Sequence, residues 1–154
     1  MSHAPTPVAV ALGSNLGDRG LALDTAVSRL REYLPDLRVS RYHETEPVGV
    51  GPQPRFLNAA AVGTSRVPAG TLLDAMLVIE ASLGRERPSP GAPRTIDLDL
   101  ILFGDLVVEE PGLVVPHPRF RDRAFVLEPL AEIAPEWRDP VSGLTVAELL
   151  RRLG

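Results

Sequence analysis

The chain has neither cysteine nor lysine anywhere in its 154 residues. Without cysteine there is no disulfide, no thiolate nucleophile, and no cysteine-ligated zinc or iron–sulfur cluster. Without lysine there is no Schiff-base chemistry and no Walker A phosphate loop, whose lysine is obligatory. All 16 basic residues are therefore arginines. Any phosphate handled here must be met by guanidinium groups, by metal or by backbone amides. Histidine is scarce too, and His3, His43 and His117 are too dispersed for a histidine-rich metal centre. No apolar run approaches the roughly 20 residues of a membrane span. A net charge of −4 argues against a broad nucleic-acid surface. Residues 1–7 lack the basic and apolar regions of a secretory signal, so a cytoplasmic location is expected.

What the chain does contain is sufficient for a core. With 44% apolar residues and no repeat or linker, residues 1–154 read as a single domain, residues 1–6 being disordered or loosely attached. Residues 8–12 form a short buried strand, broken at Gly13-Ser14-Asn15. A helix over 18–34, capped by Asp18, turns Leu23, Ala26, Val27, Leu30 and Leu34 inward. Ser14 and Asn15, flanked by glycines, read as a turn and helix start rather than a phosphate cradle. Residues 37–44 and 56–64 read as strands joined by a Pro/Gly-rich loop. A second helix over 68–84 points Leu72, Leu73, Met76, Leu77 and Leu83 inward, with Glu80 on or beside that stripe. After a Pro/Gly/Arg-rich loop over 85–93 come a further strand, short extended pieces near 106–108 and 113–115, and helices over 123–133 and 145–153. The order β-α-β-β-α-β predicts an α+β fold. It is the ferredoxin-like sandwich, an antiparallel sheet with helices packed on it, here with extra C-terminal elements.

The most informative segment is Pro93-Arg94-Thr95-Ile96-Asp97-Leu98-Asp99-Leu100-Ile101-Leu102-Phe103. Read as a strand, it places Thr95, Asp97 and Asp99 on one face and Ile96, Leu98, Leu100 and Leu102 on the other. The two aspartate Cα atoms are then about 6.6 Å apart. Two full charges at that spacing repel by about 3 kcal/mol at an effective dielectric near 20. A solvated sheet face would tolerate the pair. Asp is, however, depleted in strands, and this pair interrupts an apolar run. A hard divalent cation such as Mg²⁺ relieves the repulsion with oxygen ligands and leaves positions for substrate phosphates. Arginines stand on both sides, at Arg85, Arg87 and Arg94 before it and Arg119, Arg121 and Arg123 after it. Pro116-His117-Pro118 lies between the two sets. Together these groups point to phosphoryl transfer.

In these residues the sequence resembles the 6-hydroxymethyl-7,8-dihydropterin pyrophosphokinases of folate biosynthesis. The resemblance runs in order through Leu12-Gly13-Ser14-Asn15-Leu16-Gly17-Asp18, Tyr42-His43-Glu44-Thr45-Glu46-Pro47-Val48-Gly49 and Phe56-Leu57-Asn58-Ala59-Ala60. It continues through Ile79-Glu80, Leu83-Gly84-Arg85, the Pro93 to Asp99 block, Val115-Pro116-His117-Pro118 and Arg123-Ala124-Phe125-Val126-Leu127. Gly91-Ala92-Pro93-Arg94 stands where the family commonly has Trp-Gly-Pro-Arg.

The resemblance implies that pyrophosphate passes from ATP to the hydroxymethyl group of the reduced pterin, releasing AMP. It implies two Mg²⁺ ions held by Asp97 and Asp99, with Arg85 and Arg94 completing the catalytic set. ATP would meet Glu80, Arg85, Arg94, His117 and Arg123. The pterin pocket would comprise Thr45, Pro47, Val48, Phe56, Asn58 and Phe125. Phe56 and Phe125 suit a flat heterocycle, and Asn58 offers a donor and an acceptor to its polar edge. The expected partners are ATP and the reduced pterin alone, with no nucleic acid or membrane, and a monomer is expected. Two other readings suit the same Asp pair: a nucleotidyl transferase or cyclase with two metals, and a non-catalytic ligand-binding module of the same fold.

Overall fold

Two long antiparallel strands organise the molecule, a computed structural model that describes residues 5–45, 55–84 and 95–154. Strand β1 (Thr6–Ser14) pairs with β4 (Phe56–Ser65) along its whole length, from Thr6 opposite Ser65 to Ser14 opposite Leu57. Alternation sends Val8, Val10, Leu12, Ala59 and Ala61 into one core and Ala9, Ala11, Ala60 and Val62 into another. Both faces of the sheet are therefore buried. Strand β5 (Asp97–Phe103) pairs with β1, while β2 (Arg38–Val39) and β3 (His43–Thr45) both pair with β4. The order β2-β4-β1-β5, antiparallel throughout, is that of a ferredoxin-like sandwich whose second strand is broken in two.

The break has a local cause. Val39 lies opposite Ala61 and His43 opposite Asn58, so the outer strand carries one residue more than its partner. The Ser40 hydroxyl fills the gap, accepting from Ala60 N–H at 2.9 Å and donating to the Arg41 carbonyl at 2.8 Å. A single strand over 37–44 is thus replaced by two short ones.

Helices α1 (Arg19–Leu30) and α2 (Ala69–Ser82) cover the first face through Leu23, Ala26, Leu30, Leu72, Met76 and Ile79. Helices α3 (Ala124–Ile133) and α4 (Val146–Leu153), with Phe120, cover the second. The C-terminal elements thus close a third layer. Burying Phe120, Leu127 and Leu130, each at most 1% exposed, stabilises it by about 1.5–3 kcal/mol per side chain. Asp18 caps α1, accepting from Leu21 N–H at 3.0 Å. Thr145 and Glu148 form a reciprocal capping box on α4. Arg121 and the fully buried Asp139 tie the turn before α3 to the turn before α4.

Several boundaries differ from the sequence expectation. Strand β1 starts at Thr6 and passes through Gly13 instead of breaking there. Asn15 follows, fully buried, and Gly17 takes a φ of 71° before the Asp18 cap. Helix α1 stops at Leu30, and the chain turns through 31–34 while Leu34 stays buried. On α2 the inward stripe is Leu72, Met76 and Ile79, which leaves Leu77 51% exposed. Glu80 falls between that stripe and β5.

Strand β5 has an irregularity of its own. Ala9 pairs with Leu102 and Val10 with Leu100, so Ile101 is an extra, bulged residue. Beyond it the alternation is reset. Leu102 joins Ile101 in the second core and does not share the face of Leu98 and Leu100 as strict alternation requires. The hairpin β6 (Val108–Glu110)–β7 (Leu113–Val115) then returns the chain toward β5, and the Val115–Pro116 peptide is cis. Among the described residues, no helix is long and apolar enough to cross a membrane.

Candidate active site

The site grows from the register at one end of the sheet. Gly13 lies opposite Asp97 on one side and Asn58 on the other, and Asn58 lies opposite His43. One row therefore runs His43, Asn58, Gly13, Asp97 across the second face. The next row places Ala60, Ala11 and Asp99 in line. Asp97 and Asp99 share this face and are both half-buried, while Ile96, Leu98 and Leu100 on the opposite side are buried. The carboxylates thus stand on a floor of Gly13 and Ala11, the two smallest side chains available.

Gly13 is small for a reason the geometry makes explicit. A Cβ there would lie 2.9 Å from Asn58 Oδ1 and 3.6 Å from Phe56 Cδ1. Asn58 is 6% exposed, and its amide nitrogen donates to Thr45 Oγ1. That bond turns Oδ1 toward the Gly13 side. Thr45 lies opposite Phe56, so Thr45, Phe56 and Asn58 line the same face around Gly13.

Beside the Asp pair stands His117. The bulge at Ile101 offers its carbonyl to His117 N–H at 3.0 Å, which anchors the segment next to β5. Arg119 N–H donates to His117 Nδ1 at 3.2 Å, leaving the proton on Nε2. Burial pushes the His117 pKa down, and the Arg123 and Arg119 charges push it the same way. Asp97 opposes them without prevailing. The imidazole is therefore a neutral Nε2–H donor at neutral pH. Arg123 is the N-cap residue of α3, whose first turn carries no acid, and its guanidinium lies 5.5 Å from the centroid of the Phe125 ring. A helix N-terminus with an Arg and no acid in its first turn suits a phosphate.

Glu80 occupies a different place. It is 3% exposed, and its carboxylate accepts the Leu98 N–H at 2.7 Å. Among the described residues β5 is an edge strand, so that N–H meets no neighbouring strand, and Glu80 completes the edge. It clamps the Asp-bearing strand from behind. Arg85, Arg94, Pro47 and Val48 lie outside the described residues, as does Gly91-Ala92-Pro93. Among the described residues no three His, Cys, Asp or Glu side chains converge on one point. Two hard carboxylates with room left for phosphate oxygens fit Mg²⁺, which is rarely caged by protein alone.

Sequence reading treated Gly13 only as a breaker, although a glycine inside a strand also marks close approach. It missed the pairing of His43 with Glu132 entirely. Those residues are 89 apart in sequence, and no local pattern links them.

An antiparallel ferredoxin-like sandwich that sets two carboxylates beside a neutral His and an Arg-capped helix suits a transferase of phosphoryl groups. The family model described as 7,8-dihydro-6-hydroxymethylpterin-pyrophosphokinase matches residues 9–135, and the chain belongs to that family. It is 42% identical over 146 residues to the 2-amino-4-hydroxy-6-hydroxymethyldihydropteridine pyrophosphokinase of Pseudomonas aeruginosa, covering 93% of this chain and 89% of that one. The enzyme of the same name from Methylorubrum extorquens is 45% identical over 146 residues, covering 92% and 90%. That from Bacillus subtilis is 44% identical over 126 residues, covering 80% and 75%. A solved HPPK-DHPS in complex with substrates superposes with a TM-score of 0.77 at 13% identity. The match covers 97% of this chain but only 43% of that longer one. A Plasmodium falciparum HPPK-DHPS gives 0.77 at 16% identity, covering 99% and 44%. These two show the fold. The chain is a pyrophosphate transferase of folate biosynthesis acting on hydroxymethyldihydropterin, with ATP as co-substrate.

Proposed function

We propose that residues 1–154 form one pyrophosphokinase domain in which Asp97 and Asp99 together hold two Mg²⁺ ions under the triphosphate of ATP. The observation carrying this reading is the shared, half-buried face of the two aspartates on a floor of Gly13 and Ala11. When bound, the metal neutralises charge on the β- and γ-phosphates and holds the reacting oxygens in line.

The remaining work falls to the chain. Asn58 presents Oδ1 and its second amide hydrogen to the polar edge of the pterin, with Thr45 fixing their direction. Phe56 and Phe125 enclose the ring, and Pro47 and Val48 complete the pocket. The pterin hydroxymethyl oxygen attacks the β-phosphorus and gives up its proton to solvent, the bond to the bridging α–β oxygen breaks, and AMP leaves with that oxygen and its electron pair. His117 donates from Nε2 to a phosphate oxygen without carrying a charge of its own, while Arg123, Arg85 and Arg94 supply charge. Glu80 acts through β5, keeping the aspartates in place against Gly13. We assign the protein to the cytoplasm as a monomer.

Incubation with ATP, Mg²⁺ and 6-hydroxymethyl-7,8-dihydropterin, followed by phosphorus NMR, tests the reading. AMP and a pterin pyrophosphate are expected. ADP as sole nucleotide product, or free pyrophosphate released without pterin, would refute it. The second of those outcomes would favour a nucleotidyl transferase or cyclase.

A further inference from the structure

Among the described residues, strand β3 is only three residues long and pairs with one neighbour, β4. A strand that short is weakly held by its ladder alone. Its middle residue, Glu44, is held by Arg19 of α1 at 2.8 Å and by Arg55 at 3.3 Å, and the residues that open it are held by Glu132, near the C-terminal end of α3. One carboxylate oxygen accepts Arg41 N–H at 3.0 Å, and the other accepts the Arg41 guanidinium at 3.1 Å and His43 Nε2. Burial acts to raise the Glu132 pKa, but the Arg41 amide, its guanidinium and His43 outweigh it and keep the carboxyl below its ordinary value. The group is an anion committed to the residues that open β3.

Those contacts join the two sides of the candidate pocket. His43 is the direct cross-strand partner of Asn58, and Thr45, two residues on, receives the Asn58 amide hydrogen bond. On α3, Phe125 precedes Glu132 by seven residues, two helical turns, so both lie on one face about 10 Å apart. The fold does not need Glu132 to hold α3, which is anchored by the buried Val126, Leu127 and Leu130. The carboxylate is 22% exposed, so water can replace it when it is removed.

We propose that Glu132, acting through His43 and Arg41, is a positioning residue for pterin recognition: it registers β3 against α3 and so fixes Thr45 and Asn58 relative to Phe125. The proposal rests on the pyrophosphokinase reading above. The full chain is assayed as Glu132→Ala, Glu132→Gln and His43→Ala, with AMP release followed while each substrate is varied in turn. Glu132→Ala is expected to raise KM for hydroxymethyldihydropterin about tenfold, the loss of hydrogen bonds to a charged group. KM for ATP and kcat stay within about twofold, because Asp97, Asp99 and His117 are untouched. Glu132→Gln keeps an acceptor oxygen and recovers part of the loss. An unchanged pterin KM, or an equal rise in both KM values, would overturn the assignment. If Glu132→Ala fails to fold, His43→Ala, which keeps the Arg41 contacts, is measured in its place: a selective rise in pterin KM supports the assignment, and either of the two contrary patterns overturns it. A wild-type chain that releases no AMP sinks the pyrophosphokinase reading itself. An active wild type with indifferent variants sinks only this inference.

Discussion

Replacing Gly13 by alanine separates the demands of folding from those of the site. Gly13 has no positive φ, so its backbone accepts alanine without strain. In the unfolded chain the change removes conformational freedom, which favours the folded state by about 0.5–1 kcal/mol. Against this, the new methyl carbon would lie 2.9 Å from Asn58 Oδ1, closer than such atoms approach. Asn58 has to swing aside and weaken its bond to Thr45, at a combined cost of about 1–3 kcal/mol. Global stability therefore falls by about 0–2.5 kcal/mol, read by urea unfolding. The amide, however, no longer presents its oxygen over the Gly13 floor, and the methyl occupies space beside Asp97. If the whole of that cost appears in pterin binding, KM for the pterin rises about ten- to a hundredfold. Steady-state kinetics on protein that urea titration shows to be fully folded under the assay conditions is the measurement. Pterin KM and kcat both within about twofold of wild type would refute the placement of Asn58 and Gly13 in the pocket.

Further perturbations probe other parts of the molecule. Asp97→Ala or Asp99→Ala is expected to lower kcat by about two orders of magnitude or more, since each removes an oxygen ligand and a charge from the proposed metal site. Circular dichroism stays native, and retained turnover would leave the pair without a role. Ser14 Oγ is fully buried with no hydrogen-bond partner among the described residues, so Ser14→Ala should raise the unfolding free energy by about 1 kcal/mol. A loss of similar size would show that the hydroxyl has a partner. Asp139 has its pKa lowered to about 2: burial raises it, but Arg121, Ser142 and the Val141 amide outweigh that effect. Its contribution is thus full above the unfolded value of about 4 and fades as pH falls toward 2. Asp139→Asn should cost about 2–3 kcal/mol at neutral pH, with the gap to wild type closing from about pH 4 down to about pH 2 in denaturant titrations. A pH-independent gap would exclude the ion pair as its source.

The parts of the fold that obey a local period were legible in the sequence. Alternation in β5 put Asp97 and Asp99 on one face and Leu98 and Leu100 on the other, and the Asp18 cap followed from residue type alone. What escaped are features decided by a partner distant in sequence. The Ser40 hydroxyl splits a strand because the Ala60 N–H is there to donate to it. Leu77 faces solvent because the buried stripe of α2 runs through Leu72, Met76 and Ile79, and a helix of nearly continuous apolar residues carries little phase information. Glu80 looked misplaced on its helix until the outer edge of β5 supplied the N–H that it accepts. The Glu132 contacts to β3 span the chain and have no local signature at all.

The extra residue at Ile101 divides β5 into two stretches whose facing is set independently. Upstream, the phase is dictated by the need to turn Asp97 and Asp99 to the face of Gly13 and Ala11; downstream, by the need to feed Leu102 and Phe103 into opposite cores. Deleting Ile101 would couple these requirements and rotate one stretch by half a turn, exchanging acid for hydrocarbon at one end or the other. Shortening the strand by one residue should therefore be far more damaging than most substitutions within it, and it would also withdraw the carbonyl that tethers His117.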